Sequence, residues 1–266
     1  MSFSISGKTA IVTGAANGVG LAIARHFVEM GANVVFADMD EKTLRLQMSE
    51  DAEKAANIRL FAGDLRQKLT ITNLIAATID AFERVDILVN ASRQVLTTDA
   101  LDPDDTSMDE LLQQNTLTAM RVSQAVARRM IKQADKTKGP AGAIVNISSI
   151  AARRTHPDLM AYSVSCAALD QMTRSMAVAL APHGIRVNAV AFGSVMSASL
   201  KGLLKDHDQM RDAIVENTPL HRIASPGEVS DAVQYLASDA AGFVTGQIIT
   251  VDGGRTLIDP AAVSAH

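Results

Sequence analysis

Along the chain, short runs of apolar and β-branched residues alternate with longer stretches whose apolar positions recur every three or four residues. The runs are TAIVT near Thr9, NVVFA near Asn33, IRLFA near Ile58, DILVN near Asp86, AIVNIS near Ala143, IRVNAVA near Ile185 and QIITV near Gln247. Their length and composition predict seven strands. Between them, stretches such as GLAIARHFVEMG and residues 71–85 are amphipathic at helical spacing and long enough to serve as crossover helices. This alternation predicts an α/β fold: a mostly parallel sheet with helices on both faces, three layers in all.

No linker rich in Pro, Gly or Ser, no composition break and no internal repeat divides the chain, so residues 1–266 are expected to form one domain with its substrate site built in. The polar stretch KQADKTKGPAG, residues 132–142, reads as a surface loop entering the fifth strand. Residues 196–216 break the strand-helix rhythm after the sixth strand with a largely helical insert. Loops at the carboxyl ends of parallel strands surround the ligand crevice, which makes this insert a candidate lid. The tail from Ile258 carries little structural signal and is expected to fray.

Composition narrows the function classes. With 47% hydrophobic residues the chain can bury a large core, and a net charge of −4 from 25 basic and 29 acidic residues leaves no basic footprint for nucleic acid or an anionic membrane. A small soluble ligand is the expected partner. One cysteine excludes an internal disulfide, and neither a signal peptide nor a membrane span is apparent, so a cytoplasmic protein is expected. The 12 methionines either fill irregular gaps in the core or, at Met160, Met196 and Met210, line an adaptable apolar pocket.

The segment TGAANGVG, residues 13–20, stands between the first strand and the first helix. In this context a glycine turn lets a phosphate pair approach the backbone, and the helix start offers unpaired N–H groups and a positive dipole end. The bland alternative is an ordinary tight turn. The spacing is G-x-x-x-G-x-G, and the residues expected at a dinucleotide are Gly14, Asn17, Gly18, Val19 and Gly20, in a Rossmann-type doubly wound sheet. Asp38 ends the second strand, where a carboxylate can accept hydrogen bonds from both adenosine ribose hydroxyls and repel a 2′-phosphate, favouring NAD over NADP. A cap or turn role is the alternative, one that Asp40 fills equally well. Asp64, followed by Leu65, is placed to reach the adenine edge or to stand solvated in a turn.

TGAANGVG, Asp38, GDL, DILVN, IVNISS, YSVS and the closing VTGQIITVDGG occur in the order found in the short-chain dehydrogenase/reductase family, which the chain resembles from Gly7 to Gly254. The resemblance implies an NAD(H)-dependent oxidoreductase acting on a small carbonyl or alcohol substrate, without metal, and a homotetramer. It implies that Tyr162 is the acid and base, that Ser149 hydrogen-bonds the same substrate oxygen, and that Asn115 supports the proton path from a kinked helix. It also places Asn90, Arg93 and Gly193 beside the cofactor.

Two departures from the family pattern fall on the nicotinamide side. Four residues after Tyr162 the pattern has Lys and this chain has Cys166, which supplies neither charge nor reach to a phenol of ordinary pKa near 10. Cys166 reads as a small filler, a disabling substitution or a reactive thiol. Where the pattern has N-N-A-G the chain has Asn90, Ala91, Ser92 and Arg93, so an arginine replaces a glycine. Arg93 either obstructs the nicotinamide or supplies the positive charge that Cys166 lacks. Phe192 and Ser197 also differ from the family's Pro and Thr; Phe192 packs on the nicotinamide or belongs to the core. The alternative to the oxidoreductase is a member that binds dinucleotide or a metabolite without efficient turnover. Substrate choice is expected to lie in residues 151–159 and 196–216, where His156 either contacts substrate or is solvated.

Overall fold

All seven apolar runs become strands: β1 (Thr9–Thr13), β2 (Asn33–Asp38), β3 (Ile58–Ala62), β4 (Ile87–Asn90), β5 (Gly142–Ser149), β6 (Ile185–Phe192) and β7 (Ile248–Val251). A computed structural model describes residues 2–47, 55–134, 140–205 and 207–259. The strands pair in parallel in the order β3-β2-β1-β4-β5-β6-β7. The order reverses between β1 and β4, the place where a doubly wound sheet opens a crevice at its carboxyl edge.

The helices are α1 (Gly18–Glu29), α2 (Glu41–Leu46), α3 (Lys68–Phe82), α4 (Ser107–Leu111), α5 (Thr118–Ala134), α6 (Met160–Leu180), α7 (Ala198–Leu204), α8 (Asp208–Glu216) and α9 (Pro226–Ala237). Strand side chains alternate between two cores. Val12, Val34 and Phe36 pack with Ile23 and Phe27 of α1 and Val233 and Leu236 of α9, whereas Ile11, Val35 and Leu88 pack with Leu74 of α3 and Val126 and Met130 of α5. In α1 the buried Val19, Ile23 and Phe27 are four residues apart, one stripe of a helix facing the sheet. A third, smaller cluster joins Leu111, Ala151, Ala161, Tyr162 and Cys166 at the carboxyl edge.

Two boundaries differ from the sequence reading. The helix expected over 71–85 runs from Lys68 and ends at Phe82, because Glu83 turns left-handed at φ 65. Lys132, Gln133 and Ala134, expected in a loop, are the last residues of α5. The Gln133 amide donates to the Val85 carbonyl at 2.6 Å and accepts from the Val85 N–H at 3.2 Å, a tertiary tie that local polarity does not reveal. Of that expected loop, residues 135–139 lie outside the described residues and Gly142 already begins β5; residue 206 of the insert and residues 260–266 of the tail also lie outside the described residues.

Within residues 196–216 lie α7 and α8, which are lightly held: α8 buries none of its residues, and α7 is anchored by Leu204. Met160 and Met210 are exposed, while Met130 fills the core. Among the described residues no helix is long and apolar enough to cross a membrane, and no group of side chains could hold a metal ion.

Candidate active site

The glycine turn is built mainly from its own backbone. Thr13 Oγ1 accepts from the N–H groups of both Ala91 and Ser92 at 3.1 Å, which ties the end of β1 to the chain leaving β4. Gly14 sits at φ 67, and a Cβ there would lie 2.7 Å from the Ser92 backbone; a Cβ at Gly20 would lie 2.1 Å from the Gly14 carbonyl oxygen. Gly14 is required by the approach of the chain leaving β4, and Gly20 by packing within the turn itself. Gly18 differs: a Cβ there would meet nothing within 4 Å, so its surface faces open space. Asn17, extended and exposed, leaves the start of α1 without a side-chain cap, and the first turn carries no acidic residue. Uncapped N–H groups, a positive dipole end and open space above Gly18 fit a phosphate group. Val19 turns its side chain into the core.

Asp38 closes β2, its carboxylate accepting from Ala16 N–H at 3.0 Å and Asp40 N–H at 3.1 Å. The capping role falls to Asp40, which accepts from Thr43 N–H at 2.9 Å and starts α2. Thr43 accordingly holds the Asp40 carboxyl below its ordinary pKa. Asp38 lines the crevice over the ends of β1 to β4 with Gly14, Gly63, Asp64, Leu65 and Ser92. Asp64 is engaged by Arg66 at 2.9 Å, which draws its carboxyl below the usual carboxylate range. Leu65 is buried beneath it.

On the other side of the crevice Tyr162 lies in the first turn of α6 and is only 5% exposed. Arg93 Nη1 donates to its phenol oxygen at 2.8 Å. The same guanidinium lies 4.2 Å from the centre of the Phe192 ring, within cation–π range. Burial is the main force on the phenol and pushes its pKa up; the Arg93 charge opposes this, Cys166 adds to the rise, and the Ser149 hydroxyl opposes it. Burial also pushes the Cys166 thiol up, so it stands neutral beside the phenol. One further turn along α6, Asp170 is 4% exposed with no hydrogen-bond partner for Oδ1 among the described residues, and burial raises its pKa against the pull of Ser148, Arg153 and Arg174.

The structure brings Tyr162, Ser149 and Arg93 together at the end of the sheet, and gives the remaining expected residues internal duties. Ser149 Oγ also accepts from Ala151 N–H at 3.2 Å. Asn115 lies in a π-helical turn, Leu112–Leu117, the expected helix kink. Its amide accepts from Gln94 N–H at 2.8 Å and donates to the Gln94 carbonyl and Ser165 Oγ. Asn90 donates to Ser123 and Asn146, both at 2.8 Å, in a network that continues to Thr173 on α6. Gly193 is confined by Asp252, whose Cβ would stand 3.1 Å from an added Cβ. Phe192 is buried in the main core with Arg93 against its face, and Ser197 caps α7 through Leu200 N–H. His156 is an exposed loop residue that accepts from Asp158 N–H.

Sequence reasoning missed Thr13, Gln94 and Ser165, the hydrogen-bonding residues that hold this region in place. A polar residue ending a buried strand was the one available signal, at Thr13; nothing marked the other two.

A family model described as Enoyl-(Acyl carrier protein) reductase matches residues 14–256. The chain is 34% identical to the Short chain dehydrogenase/reductase astE of Aspergillus oryzae, over 96% of this chain and 97% of that protein. The chain belongs to the short-chain dehydrogenase/reductase family. It is therefore an oxidoreductase of a family that binds nicotinamide dinucleotides. Another member, the galactitol 2-dehydrogenase (L-tagatose-forming) of Cereibacter sphaeroides, is 33% identical over 96% of this chain and 97% of its own. A 7α-hydroxysteroid dehydrogenase solved with NADH and 7-oxo glycochenodeoxycholic acid superposes with a TM-score of 0.85 at 29% identity, covering 95% of each chain. The alternative of a member without efficient turnover gains no support from these relatives.

Proposed function

We propose that this chain is an NAD(H)-dependent oxidoreductase interconverting a secondary alcohol and a ketone, with Tyr162 as acid and base and Ser149 bonding the same substrate oxygen. The observation that carries the reading is the Tyr162 phenol, buried at the carboxyl end of the sheet beside the Ser149 hydroxyl and hydrogen-bonded to a guanidinium. A phenol so placed can pass a proton to a carbonyl oxygen or take one from an alcohol. Asn115, whose amide links Gln94 to Ser165, would support the proton path by holding the loop after β4 against α6. In this reading Cys166 stands where the family pattern has Lys, and the insert over residues 196–216 is a lid.

The dinucleotide would lie across the crevice. Gly14, Asn17, Gly18, Val19 and Gly20 would bind its pyrophosphate through the start of α1, Asp38 the adenosine ribose, and Asp64 and Leu65 the adenine. Asn90, Arg93 and Gly193 would border the nicotinamide half. When bound, the nicotinamide supplies or accepts the hydride. The charge of the Asp38 carboxylate, each oxygen of which accepts one backbone N–H, favours NAD, because a 2′-phosphate there would meet like charge. The outer edge of β7, unpaired among the described residues, and the fully exposed Phe243, which precedes β7 in the chain, favour assembly with further copies, and a homotetramer is tested by light scattering.

The test is turnover of NADH or NAD with a panel of polyols, steroid alcohols, acyl ketones and small diols, the first two suggested by the names of two relatives. Tyr162→Phe is expected to lower turnover by about 10²- to 10⁴-fold while leaving NADH binding, followed by its fluorescence, unchanged. Undiminished turnover by Tyr162→Phe would remove Tyr162 from the mechanism.

A further inference from the structure

Arg93 is held from both sides. Before it, Ser92 is fixed by Thr13 through its N–H and by Gln114 Nε2, which donates to Ser92 Oγ at 3.0 Å. After it, Gln94 is clamped by the Asn115 amide through both its N–H and its carbonyl. The side chain crosses to α6, lies on the Phe192 ring and donates to Tyr162 at 2.8 Å. Arg66, Arg84 and Arg222 are each paired with a carboxylate. Arg93 has no carboxylate partner among the described residues, so its charge is directed at a neutral phenol.

We propose that Arg93 is a catalytic residue of this site: its guanidinium stabilises the Tyr162 phenolate that forms when the phenol protonates the substrate oxygen. The proposal rests on the reading of Tyr162 as the acid. In carbonyl reduction, the Tyr162 O–H bond would break as the carbonyl carbon takes up hydride, which a bound reduced nicotinamide dinucleotide would supply. The proton joins the carbonyl oxygen, and the electron pair of that bond stays on the phenolate. Arg93 keeps all its protons, and a proton from water restores the phenol. Alcohol oxidation runs the same steps backwards, starting from the phenolate.

The surroundings leave this task to Arg93. The groups acting on the phenol are Arg93 after β4, neutral Cys166 on its own helix and the Ser149 hydroxyl at the end of β5; Asp170 lies a further turn along α6. An anion forming on the oxygen would gain from a donor already in contact and held in place before the proton leaves. The same contact explains why an arginine is accommodated beside the crevice: its plane is spent on Phe192 and its donor on Tyr162, not on the space above Gly18.

The chain has two tyrosines and no tryptophan, so in Tyr235→Phe protein the ultraviolet phenolate band reports Tyr162 alone, with neither cofactor nor substrate present. The titration is followed alongside circular dichroism, which marks alkaline unfolding. In this background Arg93→Gln is expected to move the midpoint upward by about one to three pH units, or into the unfolding transition. Arg93→Lys should fall between the two, and Cys166→Lys added to Arg93→Gln should bring the midpoint back down. Arg93→Met, which keeps the apolar stem on Phe192, replaces Arg93→Gln if that variant does not fold. A phenol that ionises no earlier with Arg93 present than with Arg93→Gln or Arg93→Met overturns the proposal. The two readings fail separately. A shifted midpoint with full turnover by Tyr162→Phe condemns Tyr162 as the acid; an unshifted midpoint with Tyr162 essential condemns Arg93 alone.

Discussion

The two ends of the crevice are built in opposite ways. At the glycine turn, recognition is left to backbone: two glycines are consumed by packing, the third faces open space, and the start of α1 is uncapped. At Tyr162, the place is taken by side chains from three parts of the chain, with Arg93 between Phe192 and the phenol oxygen. The first end offers backbone N–H groups at the start of α1 and open space above Gly18. The second is shaped by burial and by the Arg93 charge, which act in opposite directions on the Tyr162 phenol.

The largest effect that sharpens this contrast is expected at Gly20. Gly20→Ala places a methyl group against the Gly14 carbonyl and should cost about 1–3 kcal/mol of stability, seen as a lower urea midpoint, together with loss of NADH binding. Gly18→Ala meets no atom, and beyond the strain of its φ of 57 it should act mainly by weakening NADH binding. Equal stability losses at the two positions would break the distinction between a packing glycine and a ligand-facing one.

Next in size is Asp38→Asn, which removes the charge at the end of β2. Its preference for NADH over NADPH is expected to fall by about tenfold or more, equivalent to about 1.4 kcal/mol, as measured by fluorescence titration with each dinucleotide. An unchanged ratio would mean that Asp38 serves only to hold Ala16 and Asp40.

The smallest effect lies at the Tyr162 end. Burial raises the folded-state pKa of Asp170 above its ordinary value, so ionisation disfavours the fold. The penalty is absent where the group is protonated in both states and develops as pH rises through the ordinary carboxylate range towards the folded-state value. Asp170→Asn is therefore expected to raise Tm by a few degrees at neutral pH, with the gain vanishing in acid. A constant gain across that range would trace the effect to packing, and a loss at neutral pH would show that Arg153 and Arg174 outweigh burial.

Strands and crossover helices were legible because their apolar periods are local, and the glycine turn because its spacing is local, although Gly14 is itself confined by the distant Ser92 backbone. Asp38 was legible as the polar end of a buried strand, although its rivalry with Asp40 was resolved only by the bond from Thr43 N–H to Asp40. The end of α5 was not, since Gln133 is held by Val85, 48 residues away. Asn115 could be singled out, but not its engagement with both Gln94 and Ser165.

By itself the sequence determined the alternating α/β order, the turn that opens α1 and the presence of a cysteine one turn after Tyr162, all properties of neighbouring residues. It left Arg93 with two opposite roles. Tertiary structure alone decided where that side chain goes, because the contact joins residues 69 positions apart and depends on the Thr13 and Asn115 clamps and on the Phe192 face. A long, flexible side chain takes its direction from what surrounds it in space, and no local pattern encodes those surroundings.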